Sequence, residues 1–296
     1  MRVSTSLYPF EGRHFNLGGL RYHYLDEGKG EPVVMLHGNP TWSFYYRDLV
    51  RGLRDRYRII VPDHIGCGLS DKPDDTRYEY SLERRVDDLD ALLDDLGLDQ
   101  KLTLVMHDWG GMIGMSWAVR HPDRIRRLVL LNTAAFHLPK AKKLPTALWW
   151  VRNTSFAAFM VRRFNAFSRG AAWVCCTRRR LSKEVRDAYC APYDSWENRI
   201  ATLRFVQDIP LRAGDRGYDL ISEVESKLGS FADTPVLICW GEKDFVFDHH
   251  FLDVWQQHLP DAEVHRFPDC GHYVLEDASD EILALVERFL ADPPSE

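Results

Sequence analysis

The residues best placed to do chemistry sit at Leu104-Val105-Met106-His107-Asp108-Trp109-Gly110-Gly111. There an apolar run of strand length meets a glycine-bearing helix start, with an acid at the junction. This pattern reads as a nucleophile elbow, in which a sharp strand-to-helix turn lifts the side chain of Asp108 above the end of a sheet. N–H groups at the helix N-terminus then face the negative charge that develops beside it. A carboxylate in that place attacks carbon and holds it as an ester. Met106 stands where a small residue is usual, two places before the nucleophile, and Asp108 also fits the ordinary N-cap role of an Asp before a helix. Three other segments weigh towards chemistry. His37-Gly38-Asn39-Pro40 follows an apolar strand, where an elbow enzyme keeps its oxyanion-hole loop, so that Asn39 can offer a backbone and a side-chain N–H. Trp240-Gly241-Glu242-Lys243-Asp244 follows another buried run, and Asp269-Cys270-Gly271-His272 follows the last one, Glu263 to Phe267. The resulting order of nucleophile, acid and histidine is that of elbow-based triads. Asp248 competes with Asp244 as the orienting acid, but Asp244 comes directly off the strand after a glycine turn. His272 taken alone fits a satisfied core histidine. Asp63 and His64 also end a strand, with loop-shaping hydrogen bonds as their expected work.

Such residues need a rigid sheet beneath them. Leu20 to Glu27 alternates like a hairpin edge, and short apolar runs follow at Val33–Leu36, Ile59–Val61, Leu102–Met106, Leu128–Leu131 and Val236–Cys239. Between them lie amphipathic stretches, Leu82 to Leu96, Gly110 to Arg120 and Glu281 to Leu290. Strands alternating with helices predict an α/β fold with a mostly parallel sheet covered by helices on both faces, and the elbow with its triad order points to the α/β-hydrolase fold, which implies an eight-stranded sheet with an inserted helical cap. The alternation breaks once, after Asn132. We expect a core domain at 1–135 and 232–296 and a helical cap domain at 136–231. The cap carries Trp149, Trp150, Phe156, Phe159, Phe164, Phe167 and Trp173 in helical segments. Such aromatic stripes are expected to form cap core or to line a pocket, with a membrane-surface patch beside Arg152, Arg162 and Arg163 as the alternative.

The bulk composition excludes several classes. With 296 residues, 45% hydrophobic and 28% charged, the chain is an ordinary globular one. A net charge of −6 offers no basic face for nucleic acid, and the run Arg178-Arg179-Arg180 reads as a solvated turn or helix face. The six cysteines, Cys67, Cys175, Cys176, Cys190, Cys239 and Cys270, show neither CxxC pairing nor ligand spacing. No disulfide, metal or cofactor is expected, and a reducing cytoplasm is. Met1 to Glu11 lacks the apolar core of a leader, and no apolar run reaches membrane-spanning length.

Beyond this reading, HGNPTW at His37 to Trp42, DHIGCGLSDKP at Asp63 to Pro73 and HDWGG at His107 to Gly111 resemble the haloalkane dehalogenase family. The resemblance implies Asp108 as the nucleophile of an SN2 displacement, with Asn39 and Trp109 holding the departing anion. One subgroup of that family carries a Glu acid where this chain has Asn132, so the resemblance leaves the acid to Asp244, with His272 as its partner. In the cap, Ala191–Trp196, Asn198–Ala201 and Phe205–Pro210 are similar to a narrower branch, the β-lactone decarboxylases of bacterial long-chain olefin biosynthesis (OleB). Leu131–Phe136 and Asp244–Asp248 fit that branch too. It implies a cis-3,4-dialkyl-β-lactone substrate, and a cis-alkene and carbon dioxide as products. It also implies assembly with other olefin-pathway enzymes and a lipid product handed towards membrane. Three readings compete. A haloalkane dehalogenase shares every named residue. An epoxide hydrolase needs two cap phenols, for which Tyr189, Tyr193 and Tyr218 are available, although Asn39 suits anion release better. A non-catalytic ligand receptor is the third.

Overall fold

Strands covered on both faces can be apolar throughout, and the central strands of this chain are. The computed structural model describes residues 3–292; positions 1–2 and 293–296, within the ranges expected for the core and the leader reading, lie outside the described residues. Eight strands form one sheet: β1 (Arg13–Leu17), β2 (Leu20–Glu27), β3 (Glu31–Leu36), β4 (Tyr57–Pro62), β5 (Leu102–Asp108), β6 (Ile125–Thr133), β7 (Val236–Gly241) and β8 (Glu263–Phe267). Their order is β1-β2-β4-β3-β5-β6-β7-β8. The pairs β1–β2 and β2–β4 are antiparallel, and the rest are parallel. The eight-stranded, mostly parallel sheet is the one expected. The β1 hairpin arm was not foreseen, because its residues RHFNL do not alternate cleanly and stay largely exposed.

Helices α1 (Arg47–Leu53), α2 (Leu82–Asp95) and α3 (Trp109–Arg120) connect the first strands. Ser81 starts α2 by accepting the N–H of Arg84 at 3.2 Å. Helix α3 is apolar nearly all round because it is packed on both sides, between the sheet and neighbouring helices. A Cβ at Gly110 would lie 1.9 Å from the carbonyl oxygen of Leu36, so only glycine lets α3 come this close to β3. Met106 fits for a related reason: a Cβ at Gly114 would lie 2.5 Å from its sulfur, so the missing side chain on α3 makes room for a large residue on β5.

Between β6 and β7 come α4 (Thr146–Asn153), α5 (Ser155–Phe164), α6 (Ala166–Val174), α7 (Lys183–Cys190), α8 (Ile200–Gln207) and α9 (Tyr218–Lys227). After β7 follow α10 (His249–His258), α11 (Val274–Asp277) and α12 (Ser279–Ala291). The inserted helices correct one expectation. Trp149, Trp150, Phe156, Phe159, Phe164 and Trp173 are exposed rather than buried in a cap core. The helices α4 to α6 pack on α8 with one side towards a cavity, and among the described residues nothing covers these aromatic side chains on the other. Of the expected stripe, Trp150, Phe156 and Phe167 do line that cavity.

Candidate active site

The elbow forms as the local sequence requires. Asp108 ends β5 with φ 52 and ψ −125, a backbone conformation that costs an L-residue on the order of 1–3 kcal/mol and persists only where its surroundings enforce it. The β5–β6 register slips at this point, between His107 and Asp108. Thr133 Oγ1 donates to the Asp108 carbonyl at 2.5 Å, and the Asn39 N–H donates to Asp108 Oδ1 at 2.6 Å. The side chain is thereby fixed at the floor of a cavity.

Asp244 and His272 arrive from the ends of β7 and β8. His272 Nδ1 lies 2.8 Å from Asp244 Oδ2, and its Nε2 faces Asp108 Oδ2 at 3.6 Å, longer than a hydrogen bond. The remaining oxygen of Asp244 accepts the Val246 N–H at 2.7 Å. Asp248, the competing acid, is instead the N-cap of α10, and it pairs with Lys142 at 2.7 Å and His250 at 3.0 Å. His107 Nε2 is 2.9 Å from the His272 carbonyl oxygen and so ties the two loops together.

The electrostatics follow from burial and partners. Burial pushes the Asp108 carboxyl above its ordinary value, against the opposing pull of His272 and of the N–H groups of Asn39 and Trp109. Burial works downward on His272, but the charge and hydrogen bond of Asp244 and the charge of Asp108 outweigh it and raise the imidazole. His107 is pushed well below its usual value by burial and by neighbouring His272, which leaves it neutral. The site therefore holds one proton-binding imidazole between two carboxylates.

Asn39 does part of what its sequence position promised. Its backbone N–H serves Asp108, but its side-chain amide donates to the Thr202 carbonyl on α8 at 3.0 Å. One amide hydrogen is left for a ligand. Trp109 lines the same cavity, packed against Phe205. The cavity measures about 420 Å³, and its polar lining is confined to a few groups around Asn39, Asp108, Trp109 and His272.

The three phenols of the epoxide-hydrolase alternative do not reach this space. Tyr189 donates to Glu276 at 2.5 Å, Tyr193 lies 3.4 Å from the Thr41 carbonyl oxygen, and Tyr218 stacks on His137. None of them lines the cavity. Asp63 and His64 shape loops as expected: Asp63 accepts the N–H groups of Ser43 and Leu69 and pairs with His23 at 2.8 Å, and His64 donates its N–H to His37. Arg178, Arg179 and Arg180 are exposed, and Arg178 reaches Asp269 and Glu281.

One positioning residue escaped the sequence reading. Asn132 sits at φ 36 at the end of β6 and clasps Gly241, giving its amide to the carbonyl at 3.0 Å and accepting the N–H at 2.7 Å. It thereby holds the turn that carries Asp244. An Asn at a strand end that continues into a crossover is the only local signal of that role.

Fold and geometry define a protein of α/β-hydrolase architecture, with an Asp–His–Asp array on the floor of an apolar cavity. The chain belongs to the alpha/beta hydrolase fold family, whose model matches residues 31–279. It is 58% identical to a cis-3-alkyl-4-alkyloxetan-2-one decarboxylase of Shewanella oneidensis, covering 97% of this chain and 90% of that one. Identity to the decarboxylase of the same name from Xanthomonas campestris is 51%, over 93% and 94% of the two chains. Haloalkane dehalogenase 2 of Mycobacterium tuberculosis is 36% identical over 96% of both. Among solved structures, haloalkane dehalogenase DatA of Agrobacterium tumefaciens matches with a TM-score of 0.86 at 26% identity, covering 97% of this chain and 98% of that one. Among the described residues no helix is long and apolar enough to cross a membrane.

Proposed function

We propose that this chain is a β-lactone decarboxylase, converting cis-3,4-dialkyl-β-lactones to cis-alkenes and carbon dioxide in long-chain olefin biosynthesis. Asp108 attacks the ring carbon that carries the lactone oxygen, and the carbon–oxygen bond breaks to leave a free carboxylate. Asn39 and Trp109 receive that anion. The bond from the carboxylate to its α-carbon then breaks, its electrons form the alkene, and the Asp108 carboxylate leaves with the pair it brought. Strain in the four-membered ring drives the first step and release of a gas the second. Inversion on attack followed by anti elimination amounts to syn loss, so a cis lactone gives a cis alkene. His272 and Asp244 balance charge around Asp108. The reading divides the chain into a core at 1–135 and 232–296 and a cap at 136–231.

The observation that carries the proposal is a carboxylate at the elbow, beside Asn39 and Trp109 at the floor of an apolar cavity. The greater likeness to the two decarboxylases than to the dehalogenases supports the lactone over the haloalkane as substrate. The family likeness further supports work in the cytoplasm, in an assembly with the enzymes that make the lactone or against a membrane. The test is purified protein with a synthetic cis-dialkyl β-lactone, products read by gas chromatography. Alkene is the expected product. A hydroxy acid, with ¹⁸O from labelled water entering the Asp108 carboxylate in a single turnover, would replace this reading with hydrolysis.

A further inference from the structure

Residues 136–182 contain three lysines and seven arginines and not one aspartate or glutamate, in a chain whose net charge is −6. The same segment holds the exposed aromatic residues of α4 to α6, with Phe156 at 68%, Trp173 at 56% and Trp150 at 51% exposure. Isolated apolar side chains on a surface need no explanation, but a group of them in a segment that carries cations and no acid does. Lys140, Lys143, Arg163 and Arg169 are exposed and make no ion pair with the protein among the described residues, whereas Lys142 and Arg152 are paired with Asp248 and Asp215. This charge is therefore available to something outside the chain.

The patch is also continuous with the candidate site. Trp150, Phe156, Val174 and Phe245 are each exposed, and each lines the cavity above Asp108. Residues that do both form its rim. Those of α4, α5 and α6 place the opening within the aromatic face, not on the acidic remainder of the molecule.

We propose that the outer face of α4 to α6 docks on a bilayer surface bearing anionic headgroups, with the cavity mouth turned towards the acyl chains. Tryptophan and phenylalanine enter the interface, and the unpaired cations meet the lipid phosphates, the pattern of a helix that lies in the interfacial plane. A long-chain substrate and its product then pass between lipid and cavity without crossing water. This surface deepens the membrane association proposed above. It is tested without turnover, so its failure and that of the decarboxylase reading are told apart.

The experiment is flotation of the full chain with vesicles of phosphatidylcholine alone or mixed with phosphatidylglycerol, at low and high salt. Binding to the mixed vesicles, weakened by salt, is expected. Each cation near an anionic surface is worth roughly fivefold in partition, so Lys140→Gln, Lys143→Gln and Arg163→Gln together should lower binding by on the order of a hundredfold. Trp149→Ser with Trp173→Ser should lower it by about tenfold at either salt concentration. None of these five positions lines the cavity, so both variants should keep their turnover of a short-chain, water-soluble β-lactone. Three results overturn the proposal: wild-type chain left behind by phosphatidylglycerol vesicles at low salt, variants that float like the wild type, or a self-associated chain that ignores vesicles and that Trp149→Ser with Trp173→Ser dissociates. The last would make the face an interface between copies.

Discussion

Replacing His272 by glutamine should separate the two fates of a carbon bonded to Asp108. The imidazole Nε2 stands 3.6 Å from Asp108 Oδ2, and Nδ1 is held by Asp244 at 2.8 Å. Glutamine keeps much of the volume and loses the base. Hydrolysis of an alkyl ester on Asp108 needs that base to activate water, and its loss costs about 10²–10⁴-fold, roughly 3–5 kcal/mol of barrier. Loss of carbon dioxide moves no proton, so only the charge of the imidazolium matters there. At 3.6 Å and an effective dielectric near 20, a unit pair attracts by about 4.6 kcal/mol. Removing it makes Asp108 a better nucleophile but a poorer leaving group, so the two steps change in opposite directions. It also removes a group that holds the Asp108 carboxyl down against burial. The acid limb of the rate profile, already above that of a free aspartate, therefore moves to higher pH, and the variant must be assayed on its alkaline plateau. With a bromoalkane the variant should release one equivalent of bromide and stall, the intact ester appearing by mass spectrometry on the Asp108 peptide. With the cis lactone it should run past one equivalent and release alkene. A lactone reaction that stops at one equivalent, with the ring-opened carboxylate still attached to Asp108, would refute this reasoning and give His272 a part in the elimination.

Three further outcomes follow from particular contacts. Asn132→Ala leaves the buried N–H of Gly241 unpartnered, its carbonyl with the Asp244 N–H alone, and puts alanine at a positive φ, so it should cost about 2–4 kcal/mol of stability and lower kcat about tenfold by loosening Asp244; an unchanged Tm and rate would discount the clasp. Tyr189→Phe and Tyr193→Phe should leave turnover unchanged, with a loss of about 1–2 kcal/mol for the first through its bond to Glu276, and a tenfold fall in turnover would restore a phenol as acid. The Asp63 carboxyl, which burial would raise, is held down to about 2 by His23, His37 and the Leu69 N–H, from an ordinary 3.8. Its stabilisation is full above pH 3.8 and is lost as pH falls through about 2. Acid denaturation curves should therefore flatten in that window for Asp63→Asn, and curves parallel to wild type would show the bonds to be idle.

The parts legible in the sequence were those whose cause is local. Strands β3, β5, β6 and β7 announce themselves because burial on both faces turns them into unbroken apolar runs, and β5 with Asp108 and Gly110 is a strand, turn and helix written in consecutive residues. Asp244 and His272 could be placed for the same reason, each following its strand end directly. What stayed hidden depends on contacts distant in sequence. Asn132 reaches Gly241 across 109 positions, and the Asn39 amide meets Thr202 across 163. The aromatic stripe shows the limit most clearly: helical spacing reveals that one face of α4 to α6 is apolar, but whether protein, ligand or lipid covers it depends on the number of layers above, which spacing does not encode.

The same number of layers bears on the chemistry. In the proposed mechanism elimination and hydrolysis would both start from an ester on Asp108 and use the same neighbours, so the outcome would turn on whether water reaches the ester before the carbon–carbon bond breaks. The 3.6 Å between His272 and Asp108 is too short to seat a water between them. Water must therefore come from the cavity side, where Phe247 covers a face of His272 and the lining is apolar. The chains of a long dialkyl lactone would fill that side, while a short haloalkane would leave it open. In the proposed mechanism one constellation would then decarboxylate the first and hydrolyse the second, with the occupant itself deciding which reaction follows attack.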